Sequence, residues 1–212
     1  MHRTAPATAT RPTSTCDGPY SRQSGFTVIE LMVTIAVAGI ILALAVPSFQ
    51  SSIASNRLVA ATNQMVSALN QAKSEALRRN ARAVLCKDDG SGQCSTASGP
   101  WSNGWIVFVD VAPFGSPTPA IATGDITIAR GTLQGDLAVR GNGTAAQYIA
   151  FTPNGMTRNY ASGATASVTL RVCSTSSSLS DDMRARDILV NSSGRIALAS
   201  PHPSVNSGCP AP

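Results

Sequence analysis

Apolar residues crowd into one unbroken run near the start of the chain and afterwards fall into short, spaced groups. From Phe26 to Val46 about 21 residues carry a single charge, Glu30, four residues into the run; the nearest charges on either side are Arg22 and Arg57. That length is what an α-helix needs to cross a hydrocarbon core about 30 Å thick. Beyond it Leu58, Met65, Val66, Leu69, Ala72, Ala76 and Leu77 recur at helical spacing, with Asn63, Gln64, Asn70, Lys73, Arg78 and Arg79 largely elsewhere. The helix is therefore expected to continue with one face packed on a sheet. Counted from Phe26 to about Arg82 it would be roughly 85 Å long at 1.5 Å per residue. Pro47 lacks a backbone N–H and should kink or loosen it. Arg78, Arg79 and Arg82 fall in its expected final turns, where positive charge complements the helix dipole.

Past Cys86 the period changes from helical to extended. Residues 105–109, 125–129, 136–140, 147–151, 166–172, 187–190 and 195–198 read as strands between Gly, Pro, Asn and Ser clusters, and seven short strands imply antiparallel sheets. Pro153-Asn154-Gly155 and Asn191-Ser192-Ser193-Gly194 are the clearest hairpin turns, because Asn and Gly tolerate positive φ. Gly141-Asn142-Gly143-Thr144-Ala145-Ala146 superficially fits a dinucleotide fingerprint, but it precedes a strand instead of opening a helix and reads as a hairpin turn.

The isolated carboxylate changes the meaning of the apolar run. A charge at a bilayer centre costs roughly 2.5–3.5 kcal/mol even on a lenient scale, so a purely anchoring helix has no reason to keep Glu30. The order of parts matters too. The only small-residue junction, Ser24-Gly25, precedes the apolar run, so cleavage there would leave the helix on the mature protein. Arg3, Arg11 and Arg22 upstream predict a cytoplasmic N-terminus, with the remainder outside the cytoplasm.

At these residues the chain resembles the type IV prepilin signal: a basic leader, Gly25 before the scissile bond, Phe26 as the new N-terminus and Glu30 as the fifth mature residue. In type IV pilins and type II secretion pseudopilins a prepilin peptidase cuts after that Gly and N-methylates the next residue. The resemblance implies cleavage at Gly25 and Phe26, and methylation of Phe26. It also gives Glu30 an assembly role, in which the carboxylate pairs in lipid with the Phe26 amine of a neighbouring subunit; pairing within one chain is the alternative. Apolar side chains such as Val28, Leu31, Val33 and Ile35 would supply the packing between helices.

Removal of residues 1–25 leaves 187 and lowers the formal charge from +5 to +3, since the leader carries three arginines against Asp17. That weakens any argument from the high isoelectric point. Cys16 leaves with the leader, and Cys86, Cys94, Cys173 and Cys209 form an even set for an oxidising compartment. Of three possible pairings, Cys86–Cys94 and Cys173–Cys209 are favoured because each brackets a turn-rich segment. A zinc site would need a short Cys-x-x-Cys spacing that is missing. Asp88 and Asp89 lack the spaced acidic loop of a calcium site. His202, the single mature histidine, stands between two prolines with no acid or nucleophile pattern beside it and is expected on an exposed loop. Neither cofactor nor metal is expected, and an enzyme is disfavoured.

The second half resembles the heads of GspH/FimT minor pilins and pseudopilins. The landmarks are Val84-Leu85-Cys86, Cys94, residues 101–110 from Trp101-Ser102-Asn103-Gly104-Trp105 to Asp110, Phe151-Thr152-Pro153-Asn154-Gly155, and the ending from Ile188 to Arg195. The implied fold is α+β: a long N-terminal helix, its first half transmembrane, packed on a two-sheet antiparallel head. The implied organisation is a removed leader at 1–25, a membrane and assembly segment at 26–47, an amphipathic segment at 48–82 and a periplasmic head at 83–212. With cysteines at both places the chain looks most like a FimT/FimU-type minor pilin that primes or caps a type IV pilus. Its implied partners are prepilin peptidase, other minor pilins, the major pilin and inner-membrane lipid. A type II secretion pseudopilin is one alternative. DNA binding during transformation is another: seven head arginines (Arg130, Arg140, Arg158, Arg171, Arg184, Arg186 and Arg195) face six aspartates, and their clustering decides whether they matter. Some FimT proteins bind DNA through a Gly-Arg-x-Arg ending. Here Gly194-Arg195 keeps the first Arg, Ala197 replaces the second, and Arg184 and Arg186 substitute only if their loop folds toward Arg195.

Overall fold

The computed structural model describes residues 25–111, 118–133, 135–200 and 205–212. The leader up to Ser24, with Cys16 and its three arginines, and His202 lie outside the described residues. The chain divides into two compact units, Met1–Ala43 and Leu44–Pro212.

The described part of the first unit is the start of helix α1 (Val28–Arg79). Among the described residues its apolar side chains find nothing to pack against: Leu31, Ile35, Ile40 and Leu42 are 59–65% exposed. An 18-residue window has a mean hydropathy of 2.6 and is wholly unburied, enough by length and composition to cross a membrane.

In the second unit α1 is helical on both sides of Pro47 and buries a stripe of Ala54, Leu58, Ala61, Met65, Leu69, Ala72 and Ala76. Four of these seven are alanine, which keeps the stripe narrow, and Leu58, Met65 and Leu69 fill the space between. Two expectations need correction. Leu77 lies off this stripe and is 51% exposed. The helix also ends at Arg79: Asn80 takes φ +50°, and the Ala81 N–H bonds back to the Ala76 carbonyl at 3.3 Å. This is a Schellman closure, with Asn in the left-handed position usually held by Gly. Arg82 therefore opens a strand and plays no part in the helix dipole.

Nine strands follow among the described residues: β1 (Arg82–Lys87), β2 (Trp105–Asp110), β3 (Ile126–Gly131), β4 (Leu137–Gly141), β5 (Tyr148–Phe151), β6 (Thr157–Arg158), β7 (Val168–Ser174), β8 (Ala185–Val190) and β9 (Ile196–Ala199). They form two sheets, ordered β3-β2-β1-β5-β6 and β4-β7-β8-β9, and every pairing is antiparallel. The sequence pattern missed β1, whose apolar centre is framed by Arg82 and Lys87, and β6, which is two residues long. Residues 141–146 are not a hairpin turn. A 3-10 turn at Gly143–Ala146 carries the chain from β4 in the second sheet to β5 in the first. Gly141 is required there, because a Cβ would stand 2.0 Å from the Ala145 carbonyl oxygen.

One apolar cluster joins the helix stripe to both sheets. Leu85, Val107 and Phe151 come from the first sheet and Val139, Leu170, Val172 and Ile188 from the second. A smaller cluster of Val84, Ile106, Phe108, Tyr148 and Tyr160 covers the opposite face of the first sheet. Cys173, Ala185, Val205 and Cys209 form a third, beneath the C-terminal tail.

Candidate functional site

At the N-terminal end Gly25 is exposed, with no described atom within 4 Å of the position a Cβ would take, and Phe26 is 83% exposed. Thr27 and Glu30 bond reciprocally: the Thr27 N–H and hydroxyl both donate to Glu30 Oε2, and the Glu30 N–H donates to Thr27 Oγ1, each at 3.3 Å. The Leu31 N–H closes the first turn onto the Thr27 carbonyl at 3.2 Å. This arrangement is a capping box, in which a Thr and a Glu three residues later satisfy backbone donors that a helix start leaves unpaired. The signal Thr27-Val28-Ile29-Glu30 was available in the sequence, and a reading of Glu30 by its charge alone misses Thr27. At 3.3 Å these bonds are longer than the usual 2.7–3.2 Å range for N–H donors, so the carboxylate keeps capacity for a stronger donor.

The head arginines do not assemble into one surface. Arg184 is 5% exposed; its guanidinium bonds Asp181 at 2.8 Å, Ser176 O at 3.0 Å, Ser174 O at 3.3 Å and Leu179 O. Those partners consume its donors in pinning the 174–184 loop, and this removes it from the surface set considered for DNA. Arg186 is half-buried and bonds the Ala185 carbonyl at 2.9 Å. Arg195 is exposed beside the β8–β9 turn. Register places Val190 opposite Ile196 next to that turn and Asp187 opposite Ala199 at the far end. Arg186 and Arg195 are thus about five strand positions apart, roughly 16 Å. The loop does not bring Arg184 or Arg186 to Arg195.

Other charges also face inward. Arg171 makes a two-pronged pair with Asp187, both contacts at 2.8 Å, and reaches the Pro210 and Ala211 carbonyls. Arg82 pairs with Asp110 at 2.6 Å, 4% and 0% exposed at their side chains, and lies 4.0 Å from the centre of the Tyr160 ring. The Tyr160 hydroxyl donates to Asp110 Oδ2 at 2.5 Å. Burial first, and then that bond to a carboxylate, push the Tyr160 hydroxyl up to about 12. Lys87, 3% exposed, donates to the Ala97 carbonyl, and burial lowers its pKa. Glu75 is held below the usual carboxylate range by Arg78 and Arg79. Cys86 is bonded to Cys94 and Cys173 to Cys209, with Cα atoms 5.5 and 6.1 Å apart. Among the described residues no three His, Cys, Asp or Glu side chains are grouped to hold a metal.

Comparison with known proteins gives three results. The model of the family described as type II transport protein GspH matches residues 61–194, and that of the prokaryotic N-terminal methylation motif matches residues 20–46. Two crystal forms of the type IV minor pilin FimU from Pseudomonas aeruginosa are similar at 19% identity. One has a TM-score of 0.46 over 68% of this chain and 89% of FimU, and the other 0.42 over 69% and 90%. No curated protein sequence matches the chain.

Proposed function

Since the chain belongs to the GspH family, whose model covers residues 61–194, we propose that it is a minor pilin, a structural and non-catalytic subunit. Prepilin peptidase cuts it after Gly25 and methylates Phe26. The mature chain sits in the inner membrane with its head in the periplasm, and it joins other minor pilins and the major pilin to prime or cap a type IV pilus.

The observation that carries this reading is the bare start of α1, where a single carboxylate stands at the mouth of an apolar helix with no packing partner among the described residues. So many exposed apolar side chains need lipid or other helices around them. Glu30 then has two successive partners. In the isolated subunit Thr27 holds it through long bonds. In the assembling fibre the Phe26 amine of a neighbour replaces them with a charge-assisted bond, which is shorter and roughly twice as strong. One buried ion pair then fixes the register between helices, and the apolar contacts around it supply the packing.

The test has two stages. Co-expression with prepilin peptidase should give a mature protein starting at methylated Phe26 by mass spectrometry, and Gly25→Val should retain the leader. Deletion of the gene in its own cell should then reduce surface pili. Unchanged pilus number with lost protein secretion would instead assign the chain to a type II secretion machine.

A further inference from the structure

The face of the first sheet turned away from α1 carries a pocket of about 490 Å³ at its β5/β6 edge. Register sets Arg158 of β6 opposite Ala150 of β5, and Ala150 belongs to the apolar cluster on that face. Two short segments wall the pocket. One is the β5–β6 turn, where the Thr152 N–H donates to Met156 O at 2.9 Å and the Gly155 N–H to Thr152 O at 2.8 Å. The other is the loop after β6. There the Asn159 N–H donates to Ala164 O at 2.8 Å and the Gly163 N–H to Asn159 O at 3.0 Å, while Asn159 Oδ1 accepts the N–H groups of Ala161 and Ser162 at 2.9 and 3.0 Å. Each wall is tied by its own hydrogen bonds, so the pocket is formed before anything enters it, as small-ligand sites usually are.

Its polar lining is a set of unspent donors. Arg158 is half-buried; it gives one N–H to Gly163 O at 2.8 Å and has no other hydrogen bond among the described residues. The Asn154 amide reaches only Met156 Sδ at 3.4 Å, a weak acceptor. The Ser162 oxygen accepts the Ala164 N–H at 3.3 Å, and its own hydrogen finds no acceptor among the described residues. Pro153 and Ala161 add apolar surface, and no carboxylate lines the pocket among the described residues. Asp110, on the same face, is spent on Arg82 and Tyr160. One cation, two neutral donors and a small apolar wall are thus left without a counterpart, at a mouth formed by the exposed Asn154, Ala161 and Ser162.

We propose that this pocket binds the terminal hexuronate of an acidic polysaccharide. Its carboxylate pairs with Arg158, its ring hydroxyls accept from Asn154 and Ser162, and the C–H face of its ring lies on Pro153 and Ala161. A guanidinium fork matches a carboxylate in two-pronged geometry. A single cation answers a single negative charge; nucleic acid needs many phosphate contacts for affinity, and one arginine offers too few. The hydroxyls satisfy the two neutral donors, which a hydrocarbon acid leaves unpaired at a cost. The inference stands apart from fibre assembly: none of these residues takes part in the Phe26–Glu30 pairing, so either reading can fail without the other.

The experiment uses the mature chain from Phe26 in detergent micelles, with methyl glucuronoside as the probe and saturation-transfer NMR as the readout. Saturable binding is expected. Affinity should fall about tenfold or more in Arg158→Gln, and by as much for the uncharged methyl ester of the same sugar. Because Arg158 also holds Gly163 O, a second variant leaves it intact: Ala161→Phe blocks the mouth from an exposed position and should abolish binding with the urea midpoint unchanged. Cyclohexanecarboxylate, which has the charge without the hydroxyls, and inorganic phosphate should each bind about tenfold more weakly than the probe or worse. No saturable binding, or equal binding by Arg158→Gln or Ala161→Phe, would overturn the proposal. So would an ester, hydrocarbon acid or phosphate that binds as tightly as the probe.

Discussion

A carboxylate three residues beyond a threonine can hold a helix end or hold a neighbour, and Glu30 is placed to do each in turn. The two roles separate by substitution. Gln satisfies a capping box as Glu does but carries no charge, so Glu30→Gln should be processed normally and fail to assemble. Thr27→Val should weaken the helix start by about 1 kcal/mol and still assemble. N-terminal mass and pilus counts on both variants check this, and wild-type piliation in Glu30→Gln would remove the charge role. Tyr160 gives a pH test. Its pKa rises from 10.0 to about 12 in the folded head, so the unfolded chain ionises first. The stability it contributes is complete below pH 10 and lost as pH climbs through 12, at most roughly 2–3 kcal/mol at 1.36 kcal/mol per unit. Lys87 works in the opposite sense, because its folded pKa is lowered, but the wild type and Tyr160→Phe share it. Between pH 9 and 12 the urea midpoint should fall further in the wild type than in Tyr160→Phe; parallel curves would contradict the assignment.

At the scale of elements, legibility followed where each charge finds its partner. Strands β2 and β7 stand out because their apolar runs are long and bounded by turn residues. Strand β1 hides because Arg82 and Lys87 look like solvent positions, whereas Arg82 is neutralised by Asp110, 28 residues away, and the Lys87 ammonium donates to loop carbonyls at 97 and 99. No local pattern carries such information. The crossing at Gly143–Ala146 was missed for a related reason: turn residues mark a change of direction but not which sheet receives the next strand. The disulfides make elements differ in robustness. Chain-entropy reasoning assigns roughly 4 kcal/mol to Cys173–Cys209 and roughly 2.5 to Cys86–Cys94, from loops of 36 and 8 residues. Cys173→Ser/Cys209→Ser should therefore lower the urea midpoint more than Cys86→Ser/Cys94→Ser. The reverse order would place the main constraint in the short loop. Non-reducing peptide maps verify the pairing.

For the whole molecule, the broad plan was readable and the surface was not. An apolar run with one carboxylate, a helical stripe and a strand-rich remainder point to the architecture before any coordinate is seen. Counting head arginines overstated the free positive charge, since Arg171 and Arg184 are consumed internally. The strand order carries one more consequence, for mechanical load. The chain leaves α1 directly into β1, which lies between β2 and β5 in the middle of its sheet, paired along six residues on one side and four on the other. Tension drawn through the helix thus reaches a central strand instead of a peelable edge. Sliding that strand along its axis strains all of those rungs together, and the Arg82–Asp110 clamp stands at the end where the pull arrives. A head threaded this way resists traction by shear, and what yields first is the whole sheet or nothing.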